Sequence, residues 1–121
     1  MFIGEVSKNT GLSIKAIRLY EEKGLIPAPK RRGRYRVYAA SDVEVLRLIF
    51  EAKRLGVTLA RLKNVIVYRQ GEVDWQHINH FLKRVKVELE VQLTTIAGNI
   101  RQVEKCIASI DSCPVIADDN T

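Results

Sequence analysis

Apolar residues recur at helical spacing along most of the chain, and short polar or glycine-containing breaks divide them into segments. The first break is Thr10-Gly11, which separates one short apolar segment from a second that starts at Ile14. Ser13 stands where it can cap the second segment as a helix. The pattern predicts two short helices joined by a tight turn, a helix-turn-helix. The apolar positions that we assign to its core are Ile14, Ile17 and Leu25.

The longest periodic segment lies between Gly71 and Asp111, where the chain contains no proline. Its apolar residues recur in steps of three and four, which is a heptad seam with one stutter. A helix of this length extends about 55 Å, more than a small head domain can cover, so we expect a partner helix to bury it. The alternative, a helix folded back on its own domain, is disfavoured by the length and by the absence of a hairpin break. Gly98 either permits close approach of the two helices or is neutral surface. The predicted interface residues are Ile78, Leu82, Val85, Leu89, Leu93, Ile96, Ile100, Val103 and Ile107.

Two further helices are predicted between these segments. Ser41 and Glu44 have the spacing of a capping box at the start of the first, which ends at Leu55-Gly56. Thr58 caps the second, and Arg61 points outward, where it can bind a phosphate group. The resulting segments are a helix-turn-helix head at 1–70, a dimerisation helix at 71–110 and a short C-terminal tail at 111–121.

Charge favours a polyanionic partner. The formal net charge is +6, the sequence pI is about 9.5, and a basic cluster with interleaved tyrosines lies between Lys30 and Tyr38. Together with the helix pair upstream, this cluster predicts binding to double-stranded DNA. No apolar run approaches the roughly 20 residues that span a bilayer, and the N-terminus lacks a signal-peptide layout. We therefore expect a cytoplasmic protein with no membrane partner.

Five short motifs carry a family resemblance. They are IGE at 3–5, IRLYE at 17–21, GLI at 24–26, YRVY at 35–38 and LGVTL at 55–59. This set resembles the MerR family of bacterial transcription regulators. Two positions depart from the family pattern: Leu19 stands where the first of two tyrosines is usual, and Arg34 stands where the wing glycine is usual, with Gly33 one place earlier.

The resemblance implies a mainly α fold, with a winged helix-turn-helix DNA-binding head followed by a long antiparallel coiled-coil dimerisation helix. In such a head the second helix lies in the major groove with its N-terminal turns against base edges. Arg18 and Tyr20 match the arginine and second tyrosine of the family motif, although the Tyr20 ring has an alternative role in the core. The predicted DNA contacts are Ser13, Lys15, Ala16, Arg18, Tyr20, Arg34, Tyr35, Arg36, Tyr38 and Arg61.

The effector site follows from the resemblance in part. Metal-sensing members use one cysteine near the start of the long helix and two in a loop after its end, a set suited to zinc, copper(I) or mercury. Here Cys113 stands at the first loop position and His77 at the other, and antiparallel pairing would bring them together between protomers, with His80, Cys106 or Asp111 as further donors. Alternatively, the histidines are surface residues, Cys106 is a small buried hydrophobe, and Cys113 is inert or reacts with an oxidant or electrophile.

These features predict a homodimeric transcription regulator that binds an inverted repeat in promoter DNA and responds to a metal ion or a thiol-reactive compound. RNA polymerase is a further partner by resemblance. The alternative is an architectural DNA-binding protein of the excisionase kind without an effector, which the long seam disfavours. We expect no enzymatic activity, because the sequence offers no nucleophilic triad, phosphate-cradling loop or paired carboxylates.

Overall fold

The computed structural model describes residues 1–112 and is mainly helical. The chain divides into two compact units, a head formed by Met1–Asn79 and a second unit that begins at His80. Five helices and four short strands follow one another in the described part. They are α1 (Ile3–Thr10), α2 (Ile14–Glu22), β1 (Lys30–Arg32), β2 (Tyr35–Val37), α3 (Ala40–Arg54), α4 (Leu59–Val65), β3 (Tyr68–Arg69), β4 (Glu72–Val73) and α5 (Trp75–Asp111).

The predicted helix-turn-helix is confirmed. Helix α1 ends at Gly11, whose φ of 80° lies in the left-handed region that glycine adopts without strain. The Ser13 hydroxyl accepts a hydrogen bond of 3.1 Å from the Ala16 N–H and so caps α2. The assignment of Ile14 to the core is wrong, because its side chain is 39% exposed, whereas Ile17 is fully buried.

Helix α3 starts earlier than predicted, and the Ser41–Glu44 capping box is wrong. The helix begins at Ala40, and the Asp42 carboxylate accepts a hydrogen bond of 3.0 Å from the N–H of Ala39. Asp42 is close to the free N–H groups of the first turn, so its side chain takes the capping role. Burial raises the pKa of Asp42, and the bond from Ala39 opposes that rise. The predicted cap of α4 is confirmed, since the Thr58 hydroxyl accepts a bond of 3.2 Å from the Arg61 N–H.

Two antiparallel hairpins flank α3 and α4. The first, which we call the wing (residues 30–37), pairs Lys30 with Val37 and turns at Gly33. Gly33 has a φ of 65° and is the first of two loop residues, the pattern of a type II′ turn. Gly33, which stands one place before the usual wing glycine, thus still forms a two-residue hairpin loop.

The second hairpin, β3 and β4, was not predicted and replaces the expected helical start at residue 71. Its loop consists of Gln70 and Gly71, both at positive φ (53° and 79°), as in a type I′ turn. The Tyr68 hydroxyl donates a hydrogen bond of 2.9 Å to the Leu25 carbonyl, which ties the hairpin to the loop after α2. The predicted boundary between residues 70 and 71 falls within this turn.

Helix α5 contains 37 residues, and its apolar residues are partly buried and partly exposed. Ile78 and Val85 are buried within the chain, so their assignment to a dimer interface is corrected. From Leu89 onward the predicted interface residues are exposed, with fractions from 40% at Leu89 to 68% at Leu93. The uncovered row consists of Leu82, Leu89, Leu93, Ile96, Ile100, Val103, Ile107 and Ile110. We call this set the α5 seam.

Replacing Gly98 by alanine is expected to raise the free energy of unfolding by about 0.5–1 kcal/mol per chain, because glycine is a poor helix former. Gly98 lies about 200° around the helix from both Ile96 and Ile100, opposite the α5 seam. An added Cβ would meet only the Arg101 guanidinium, at 3.9 Å. Urea unfolding followed by circular dichroism measures the change. A lower stability together with dissociation into monomers would show that a partner helix approaches Gly98.

Candidate nucleic-acid interface

Four arginines surround one open cavity between α2 and the wing. The cavity has a volume of about 370 Å³ and is lined by Ile3, Arg18, Arg31, Arg34, Tyr35 and Arg36. Arg18 comes from α2 and the other arginines come from the wing, so the tertiary fold gathers charges that lie far apart in sequence. Guanidinium groups present forked donors that suit phosphate oxygens. The cavity has the size and charge to accept the backbone of a nucleic acid.

A wider groove runs along the exposed face of α2. Its volume is about 680 Å³, and Arg18 lines both this groove and the arginine cavity. The side chains along it are Ser13, Ile14, Lys15, Ala16, Arg18, Leu19, Tyr20, Glu22 and Lys53. The predicted contacts Ser13, Lys15, Ala16 and Arg18 therefore share one surface, and the N-terminal turn of α2 opens onto it.

Glu21 joins α2 to the wing. One of its carboxylate oxygens, Oε1, lies 3.6 Å from Arg36 Nε, and the other, Oε2, accepts a hydrogen bond of 3.2 Å from the Tyr38 hydroxyl. Arg36 Nε is buried and makes no hydrogen bond within the described residues. The pairing holds the wing strand β2 at a set distance from α2, so Arg18 and Arg36 face the same cavity.

The rings of Tyr20 and Tyr38 belong to the core, which corrects the assignment of Tyr38 as a DNA contact; Tyr20 takes its alternative role in the core and still lines the α2 groove. Tyr20 is 3% exposed and Tyr38 is 2% exposed. The Tyr20 hydroxyl accepts a hydrogen bond of 3.3 Å from Lys53 Nζ, which places that ammonium at the edge of the groove. Tyr35, in contrast, is 67% exposed and packs edge-on against Phe2, with 5.8 Å between ring centroids.

The predicted DNA contacts omit six residues that line the cavity or the groove, namely Ile3, Ile14, Leu19, Glu22, Arg31 and Lys53. Arg31 belongs to the basic run, and its place in that run was the only available signal. Ile14 was assigned inward from its spacing to Ile17, and Lys53 reaches the groove from α3, which no local pattern indicates. Arg61 is exposed on α4 and does not line the arginine cavity or the α2 groove.

The residues predicted for an effector lie far apart within one chain. His77 and Cys106 are both exposed on α5 and are separated by about 43 Å along the helix axis. Because Cys106 is exposed in the single chain, its interpretation as a small buried hydrophobe is wrong there. Cys113 lies outside the described residues. Within residues 1–112 no three or more histidine, cysteine or acidic side chains cluster closely enough to hold a metal ion.

Near His77, the helix start is organised by Asp74. Its carboxylate accepts hydrogen bonds from the His77 N–H at 3.1 Å and from Arg69 Nε at 2.9 Å. The bond from His77, followed by the bond and charge of Arg69, lowers the pKa of Asp74. This network joins the second hairpin to the first turn of α5.

Raising the pH from 10 to 12 is expected to destabilise the folded head through Tyr38 and Tyr68. Burial, reinforced by the charge of Glu21 at Tyr38 and of Asp42 at Tyr68, raises each pKa from 10.0 to about 12. The unfolded chain then loses these protons first, so stability that is complete below pH 10 falls between pH 10 and 12. Urea unfolding at a series of pH values measures the fall. Tyr38→Phe and Tyr68→Phe serve as matched variants, and an unchanged pH dependence in both would contradict the prediction.

Comparison with known proteins identifies the family. Residues 1–68 match the family model described as MerR HTH family regulatory protein. The chain is 30% identical to heavy metal-dependent transcription regulator 2 of Rhizobium meliloti (strain 1021), over 96% of this chain and 84% of that protein. It is 34% identical to the HTH-type transcriptional regulator CueR of Vibrio cholerae serotype O1, over 96% of this chain and 88% of the relative.

The fold is also shared with solved structures. The crystal structure of the transcription regulator PbrR691 from Ralstonia metallidurans CH34, in complex with lead(II), superimposes with a TM-score of 0.58 over 98% of each chain at 20% identity. No helix within residues 1–112 is both long and apolar enough to cross a membrane. On the family match and the full-length relatives, the chain belongs to the MerR family and is a DNA-binding transcription regulator.

Proposed function

We propose that two copies of this chain pair through the α5 seam and bind an inverted repeat in promoter DNA, under the control of a soft metal ion. The observation that carries the DNA-binding part is the arginine cavity. Arg18 of α2 and three wing arginines line one space of about 370 Å³. A phosphate backbone that enters this space leaves the N-terminal turn of α2 beside the base edges.

The α5 seam supports pairing. Leu93, Ile96, Ile100, Val103 and Ile107 are each more than 50% exposed in the single chain. A contiguous apolar row of this length in water is unfavourable and marks a surface that another helix covers. The family resemblance adds the antiparallel orientation. A two-fold dimer then presents two α2 helices, which is why the DNA site should be an inverted repeat.

The effector proposal draws on relatives and on chain geometry. One relative that aligns over 96% of this chain is a heavy metal-dependent regulator, and another structure of the same fold holds lead(II). In an antiparallel pair, the start of α5 in one protomer, which carries His77, lies beside the end of α5 in the other. We assign the soft donors to Cys113 and Cys106 and a nitrogen donor to His77. By family resemblance, the occupied dimer acts on RNA polymerase at the promoter.

Native mass spectrometry of the reduced full chain tests pairing and metal binding together. We expect a dimer that takes up zinc(II), copper(I) or mercury(II) at a fixed ratio, and we expect Cys113→Ser to lose that uptake. Cys106→Ser, seven residues earlier in the sequence, separates the two thiols. A dimer that stays metal-free in all three titrations would overturn the metal proposal and favour a thiol-reactive effector or an architectural role. A monomer would overturn the pairing.

Selection of bound duplexes from a random library tests the DNA site. Recovered sequences should share two half-sites related by inversion at a constant spacing. A single half-site, or no enrichment at all, would contradict the proposal. Fluorescence anisotropy of the selected duplex at several salt concentrations then provides the reference affinity against which variants are compared.

A further inference from the structure

Ile14 is an apolar residue in an unexpected place. It is the first residue of α2, directly after the cap Ser13, and its side chain is 39% exposed. Ile17, one turn later, is fully buried, so the core does not need Ile14. Helix formation does not need it either, because β-branched residues are weaker helix formers than alanine. A role outside the fold would account for an isoleucine at this position.

The surroundings of Ile14 indicate the chemistry of its partner. Ile14 lines the groove of about 680 Å³ with three cationic side chains, Lys15, Arg18 and Lys53, against one acidic side chain, Glu22, so the net charge of the groove is positive. Ile14 and Arg18 are four residues apart and lie on the same face of the helix, one turn from each other. The partner therefore combines negative charge with an apolar group within one helical turn.

The major groove of DNA matches that description. Its edges display hydrogen-bonding groups at every base pair, and the 5-methyl group of thymine is the apolar group among them. We propose that Ile14 is a sequence-reading residue of this regulator, whose side chain contacts a thymine 5-methyl group in each half-site. This inference rests on the proposed binding of α2 in the major groove.

The helix geometry also gives the position of that thymine. One turn of α2 advances about 5.4 Å, whereas base pairs are stacked about 3.4 Å apart. The base read by Ile14 should therefore lie one or two base pairs from the group contacted by Arg18. A methyl contact is worth about fourfold in affinity, from the free energy of burying one CH₂ group.

Replacing thymine by deoxyuridine in the selected duplex tests this contact, because the exchange removes only the methyl group. In one half-site the exchange should weaken wild-type binding about fourfold at one thymine position. With Ile14→Ala the same exchange should have no effect at that position. Leu55→Ala is the matched protein control, since Leu55 is an exposed apolar residue at the end of α3. The exchange should weaken DNA binding by this variant as much as it weakens binding by the wild type. Uridine outside the half-sites is the DNA control.

The outcomes separate the two proposals. A circular dichroism spectrum and melting temperature like those of the wild type would show that Ile14→Ala folds. Two outcomes would overturn the role of Ile14 and leave DNA binding intact. In the first, both proteins bind tightly and the deoxyuridine exchange weakens the wild type and Ile14→Ala equally. In the second, the exchange weakens binding at no position. Failure of the wild type to select any duplex would overturn the proposed DNA site and this inference with it.

Discussion

Replacing Ile100 by lysine is expected to leave the protein monomeric and to abolish tight binding to an inverted-repeat duplex. Ile100 is 53% exposed in the single chain and lies in the middle of the α5 seam. Pairing would bury the exposed half of two copies of it, so the substitution removes about 1.5–3 kcal/mol of apolar burial per dimer and places two ammonium groups in an apolar interface. The dimer should weaken at least about a hundredfold. Analytical ultracentrifugation measures the association, and anisotropy measures the DNA affinity.

The choice of lysine makes this result easy to interpret. In the single helix, a lysine at position 100 would lie one turn before Glu104, so the monomer gains a favourable lysine–glutamate ion pair on its surface. Added positive charge by itself favours DNA binding, so a loss of affinity would arise from the absence of pairing. Gln102→Lys adds the same charge about 200° away on α5 and is the matched control. A stable dimer of Ile100→Lys would contradict the assignment of the seam.

Replacing Arg18 by alanine is expected to weaken DNA binding by about 1–3 kcal/mol per half-site, roughly 5- to 150-fold. Arg18 is exposed on α2 and lines both the arginine cavity and the α2 groove, so a DNA backbone in one and base edges in the other would both lie within its reach. Anisotropy titrations at several salt concentrations separate the two roles. If Arg18 binds phosphate, the slope of log affinity against log salt should flatten by about 0.9 for each phosphate that the variant no longer neutralises.

The control for Arg18 is Arg101→Ala, which removes the same charge from an exposed position on α5. We expect this variant to keep nearly the wild-type affinity and slope. An equal loss of affinity in both variants would mean that net charge, rather than the cavity, drives binding. An unchanged affinity in Arg18→Ala would contradict the proposed orientation of α2.

Local features of the fold could be predicted well because their causes are local. Ser13 and Thr58 cap helices through hydrogen bonds to N–H groups three residues away, and Gly11 ends α1 through its own backbone freedom. The capping box at Ser41 failed for an equally local reason, since Asp42 stands next to it and offers a stronger acceptor for the helix start. The turn at Gln70-Gly71 carried a signal too, but the heptad pattern of the following helix obscured it.

The sequence by itself determined the helix-turn-helix, the basic run with its tyrosines and the apolar row of α5, because spacing and charge along the chain are enough to specify them; the wing followed from the family resemblance. Only the tertiary structure showed that Tyr20 and Tyr38 face inward, that Ile14 faces outward, and that Glu21 holds the wing beside α2. It also showed that Ile78 and Val85 are already buried within the chain. Periodicity specifies which residues share a helix face, but only the folded chain shows which of those residues are buried.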